Sequence, residues 1–140
     1  MFVSSKALLG SLLVVITYLF WFGYVYVLQN DLFFFHPWLD IPLHITGGFI
    51  LALVSLLVML MKVPDEERGS LSSRQIFWAI YITLVVGVFW EYYEYWFKLY
   101  ETNVHLTIDT LSDIGNDFIG GVLAVGAYLG ISKYLAKKHR

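Results

Sequence analysis

Four long apolar runs, separated by short polar stretches, account for most of this chain. They fall at about residues 7–28, 41–61, 76–100 and 111–135. A helix needs roughly 20 apolar residues to cross the hydrocarbon core of a bilayer, and each run meets that length. The pattern predicts an all-α, polytopic membrane protein: a bundle of four transmembrane helices forming a single integral membrane domain over residues 1–140. The first run follows one basic residue, Lys6, and ends Val27-Leu28-Gln29-Asn30, without the small-x-small exit of a cleaved signal peptide, so it is expected to be retained.

The polar stretches carry their own signals. Phe33, Phe34, Phe35 and Trp38 form an aromatic cluster of the kind found at membrane interfaces. Asp40 is placed to cap the second helix, and Pro42 suits its first turn. Residues 62–75, with Pro64, Gly69 and several serines, read as a loop, and so do residues 101–109. The third helix is dense in aromatics toward its end, at Trp90, Tyr92, Tyr93, Tyr95 and Trp96.

Composition strengthens the membrane reading, with 59% of residues hydrophobic and 14% charged. The chain lacks cysteine, which excludes disulfides, thiolate nucleophiles and Cys-ligated metals. No polybasic or aromatic–basic stretch suggests nucleic acid as a partner. Eight of the nine basic residues lie near the N-terminus (Lys6), in the middle loop (Lys62, Arg68, Arg74) or toward the C-terminus (Lys133, Lys137, Lys138, Arg140). The positive-inside rule then predicts both termini on the cytoplasmic side of a cell membrane, a bacterial inner or plasma membrane, with Lys98 alone outside.

The acidic residues are distributed the other way. Only Asp65, Glu66 and Glu67 fall on the predicted cytoplasmic side. The topology carries the other eight toward the outer leaflet, several inside apolar runs. Asp40 and His44 are four apart and share a helix face; Glu91 and Glu94 are three apart, with Gly87 one turn deeper. Asp113 and Asp117 are four apart, with Asn116 beside them and Asp109 one turn earlier. Singly, each has an ordinary explanation: a cap at Asp40, a surface pair between Glu94 and Lys98, first-turn carboxylates at Asp109 and Asp113. Together they bring carboxylates from three helices to one depth. Either protons or a cation must offset their repulsion. Oxygen donors with one imidazole suit a divalent ion such as Zn²⁺, Mn²⁺ or Mg²⁺.

Asp40-x₃-His44-x₂-Gly47-Gly48 and Asp113-x₃-Asp117-x₂-Gly120-Gly121 share one spacing. Both open a helix entering from the predicted outer side, as two parallel helix-pair repeats would. In such an arrangement the paired glycines let the second and fourth helices approach closely, with His44 opposite Asp117. Gly126 and Gly130 form a further small-residue pair suited to packing, within the fold or in a homo-oligomer.

Three segments also carry a family resemblance: Asp40-Ile-Pro-Leu-His44-Ile-Thr-Gly-Gly48, Trp90-Glu91-Tyr-Tyr-Glu94-Tyr-Trp96, and Asp109-Thr-Leu-Ser-Asp113-Ile-Gly-Asn116-Asp117 through Gly121. In order and spacing they resemble the YjdF-like bacterial inner-membrane proteins and, more distantly, VanZ-like proteins. The resemblance implies site positions at Asp40, His44, Glu91, Glu94, Asp109, Asp113 and Asn116; it names no reaction.

Three functions fit these residues. The first is a metal-dependent enzyme acting on a lipid or lipid-linked substrate, with His44, Glu94, Asp113 and Asp117 as ligands and Glu91 as general base. The second is a non-catalytic protein binding a lipid or glycopeptide, membrane lipids being the expected partners. The third is an ion or proton transporter, against which stands the near absence of ionisable residues in the cytoplasmic halves of the helices.

Overall fold

The computed structural model describes residues 5–61, 71–97 and 106–138. Their order is α1 (Ser5–Gln29), a single helical turn α2 (Leu32–Phe35), a 3₁₀ turn (Pro37–Leu39), α3 (Asp40–Met61), α4 (Ser73–Phe97) and α5 (Leu106–Lys138). No strand occurs among the described residues. Four segments are long and apolar enough to cross a membrane: Ala7–Gln29, Pro37–Met61, Ser73–Phe97 and Ile108–Tyr134. In hydrocarbon every backbone polar group must be satisfied within the protein, and uninterrupted helices do this. Two buried hydroxyls follow the same rule: Thr83 donates to the Ala79 carbonyl at 3.0 Å and Ser55 to the Leu51 carbonyl at 2.9 Å.

Three helix starts differ from the sequence expectation. Asp40 has helical backbone angles (φ −64°, ψ −41°) and runs on directly from the 3₁₀ turn, so it is not a cap, and its side chain is free to face His44 one turn on. α4 begins at Ser73 because Ser72 and Gln75 form a capping box. The Ser72 Oγ accepts the Gln75 N–H at 3.2 Å, while Gln75 Oε1 accepts the Ser72 N–H at 2.9 Å. Ser72→Ala is expected to cost about 1 kcal/mol, read as a lower unfolding midpoint in detergent. α5 begins at Leu106, which moves Asp109 from the expected loop into the first turn, where the helix dipole favours a carboxylate. The predicted end of the third helix at 98–100, Lys98 itself, and most of both polar loops lie outside the described residues.

α3 is the central element. It packs against α1, α4 and, most extensively, α5. Leu53, Leu56 and Leu60 of α3, Ala79 of α4, and Ala124, Val125 and Tyr128 of α5 form the buried core, joined by Leu9 of α1. α1 is otherwise peripheral, and most of its large side chains face outward, as lipid-facing residues do. Two glycines set the α3–α5 distance. A Cβ on Gly48 would collide with the Asp117 backbone, and one on Gly120 with the backbone of Ile45 and Phe49. The two motifs therefore meet backbone to backbone, and His44 and Asp117 lie opposite each other. A Cβ on Gly126 or Gly130 would meet nothing within 4 Å among the described residues.

Candidate metal centre

The core is apolar through most of its length and polar at one end. His44, on the second turn of α3, and Asp113 and Asp117, on α5, are buried there, with 7%, 3% and 5% exposure. The end of α4 reaches the same place and brings Glu91 and Glu94.

His44 is the hub. Its Nδ1 lies 3.3 Å from Asp117 Oδ1. Its Nε2 lies 3.6 Å from Asp40 Oδ1 and 3.9 Å from Glu91 Oε1. The last two separations exceed hydrogen-bond reach. They do match the spacing of neighbouring donors around one ion, since ligand bonds of roughly 2.0–2.2 Å put such atoms about 3–4 Å apart. Two donor triads gather more loosely, each with its ligand atoms within 4.8 Å of one another: Asp40, His44 and Asp113, and His44, Glu91 and Glu94.

Glu91 is the least satisfied member. Its side chain is only 10% exposed, and its Oε1 has no hydrogen-bond partner among the described residues. Thr110 of α5 reaches the same carboxylate as a hydrogen-bond partner, but leaves that oxygen bare. A buried carboxylate oxygen without a partner is costly unless something positive meets it. No Lys or Arg among the described residues pairs with these carboxylates.

Neighbouring side chains fix the rest. Trp90 Nε1 donates to Glu94 Oε1 at 2.8 Å, one helical turn apart. Tyr24 of α1 meets the Trp90 ring edge-on at 6.5 Å, which ties the peripheral helix to the site. Asp117 Oδ2 occupies the space that a Cβ on Gly87 would take.

The structure thus brings together His44, Asp40, Glu91, Glu94, Asp113 and Asp117. Asp109 is half-buried one turn before Asp113 and belongs to neither donor triad. Asn116 lies apart, its Nδ2 3.5 Å from Ser112 Oγ on its own helix. His36 is exposed against Trp38, while His105 and His139 fall outside the described residues. Sequence spacing did not reveal Thr110, the Trp90–Glu94 bond or the socket at Gly87. All three depend on which face each helix turns inward, and helices that are apolar all round give little sign of that.

A family model described as Predicted membrane protein (DUF2238) matches residues 3–133, and the chain belongs to that family. No curated protein and no solved structure matches it.

Proposed function

From this membrane-protein family and this buried cluster, we propose a membrane-embedded enzyme that uses one divalent metal ion on a lipid or lipid-linked substrate at the outer leaflet. The observation that carries the reading is Glu91 Oε1, buried without a partner and 3.9 Å from His44 Nε2. His44 Nε2, Asp40 and Asp113 supply a one-imidazole, two-carboxylate ligand set that suits Zn²⁺, Mn²⁺ or Mg²⁺. When bound, such an ion would supply Lewis-acid chemistry toward a phosphoryl or carbonyl oxygen. Glu91, with its unpartnered oxygen, would serve as the general base of the site. Glu94, held by Trp90, completes the negative wall on the α4 side. The distribution of Lys and Arg supports an outward placement of the cluster.

An apolar groove of about 330 Å³ between α1 and α3, at the same end of α3 as the cluster but not lined by it, suits an acyl chain. Ile16, Leu19, Phe20 and Gly23 of α1 line it together with Pro42, Leu43 and Thr46 of α3. The groove also favours a second reading, a non-catalytic protein that holds an acyl chain there.

Turnover of a lipid panel in proteoliposomes, followed by mass spectrometry, separates the two. The enzyme reading expects a product that EDTA suppresses and added Mn²⁺ or Zn²⁺ restores. It also expects Glu91→Gln to keep the metal while slowing turnover about 10²–10⁴-fold. Lipid retained unchanged by wild-type protein, with or without metal, sides with the binding protein.

A further inference from the structure

We propose that Asp117, seated against Gly87, is a positioning residue: it holds the His44 ring as the Nδ1–H tautomer and so turns the Nε2 lone pair toward Asp40 and Glu91. This places Asp117 behind the imidazole and outside the ligand set, and it deepens the metal reading above without depending on it.

Three distances carry the inference. A neutral imidazole has one N–H and one lone pair, and the N–H goes where an acceptor waits. Asp117 Oδ1, at 3.3 Å from Nδ1, is the closest carboxylate oxygen to either ring nitrogen. On the Nε2 side, Asp40 and Glu91 stand at 3.6 and 3.9 Å, too far to accept a hydrogen bond. A proton on Nε2 would leave the Asp117 carboxylate buried without its donor. A proton on Nδ1 satisfies Asp117 and frees Nε2 as a ligand atom. Carboxylates behind metal-bound histidines act in this way on tautomer, orientation and basicity.

The packing makes the arrangement stiff. The Asp117 side chain is 6% exposed. Its Oδ2 fills the place of the missing Gly87 side chain, and its backbone abuts Gly48. Three helices therefore fix one carboxylate: α5 carries it, α3 supplies the donor and α4 the socket. Any side chain at position 87 must push the carboxylate from its seat while leaving Asp117 in the sequence.

The test is ¹⁵N NMR of the histidine ring nitrogens in detergent-solubilised protein, with the His44 signals identified by their loss in His44→Gln. The wild-type ring is expected to carry its proton on Nδ1. Asp117→Asn, whose amide can donate to Nδ1 in place of accepting, is expected to shift the proton toward Nε2. Gly87→Ala should do the same through displacement alone, which covers the case in which Asp117→Asn fails to fold. In Mn²⁺ titrations both variants should bind 10–100-fold more weakly, with wild-type stoichiometry at saturation. A wild-type ring protonated on Nε2, or on both nitrogens, overturns the proposal, as does wild-type Mn²⁺ affinity in both variants. A wild-type ring protonated on Nδ1 in protein that binds no metal leaves Asp117 in this role and removes the metal reading instead.

Discussion

His44→Ala is expected to abolish divalent-metal binding, whereas loss of any one carboxylate should only weaken it. The asymmetry follows from the geometry. His44 belongs to both donor triads and is the only nitrogen donor among the described residues of the cluster. Asp40, Asp113, Glu91 and Glu94 surround it from three helices, so the loss of one leaves other oxygens within reach of the same ion. The alanine variant removes the hub and also strands Asp117, whose carboxylate then lies buried without its donor. His44→Gln separates these effects, because its amide can still donate to Asp117. Both variants should lose Mn²⁺ binding by more than 100-fold in titration, with the glutamine form nearer the wild type in thermal stability. A His44→Gln protein that binds Mn²⁺ as tightly as the wild type would mean that the carboxylates alone make the site.

The second large effect is structural. Gly120→Val is expected to disrupt the bundle, because its side chain would enter the backbone of α3. The Cβ position lies against the Ile45 carbonyl and 2.7 Å from the Phe49 nitrogen. Neither atom belongs to a side chain that could turn away. Relief requires α3 and α5 to separate, and overpacking of this kind typically costs 1–3 kcal/mol or more. Separation also pulls His44 from Asp117, since the two residues sit on these same helices. Size-exclusion profiles and unfolding midpoints in detergent should fall well below wild type for Gly120→Val. Gly126→Val is the control: on the same helix, its Cβ would meet no described residue within 4 Å, and both readouts should stay near wild type. Equal damage from both would point to a general intolerance of valine in α5.

These two experiments rest on features of unequal visibility in the sequence. The four membrane helices were plain, because each apolar run is as long as a bilayer is thick. The pairing of His44 with Asp117 was also legible: D-x₃-H-x₂-GG and D-x₃-D-x₂-GG put a polar residue one turn before a glycine pair, and close approach at the glycines sets the polar residues opposite each other. Helix starts were harder. The Ser72–Gln75 capping box lies within a serine-rich stretch that reads as loop, and Asp40 looks like a cap until the 3₁₀ turn before it is seen. The rotation of α4 was not legible at all. Nearly every residue from 88 to 97 is aromatic or acidic, so composition alone could not show that Glu91 and Glu94 turn toward His44 while Tyr92 and Trp96 face out.

The proposed ligand roles rest on geometry, and one measurement bears on them most directly. Wild-type protein, purified in detergent from metal-replete medium, should carry about one divalent ion per chain by elemental analysis, and that ion should leave as the pH falls and protons compete for His44 and the carboxylates. Protein with no metal above background, after metal-replete purification and after soaking in Zn²⁺, Mn²⁺ or Mg²⁺, would contradict the account. The unpartnered oxygen of Glu91 would then have to be met by a proton or by a cationic lipid headgroup.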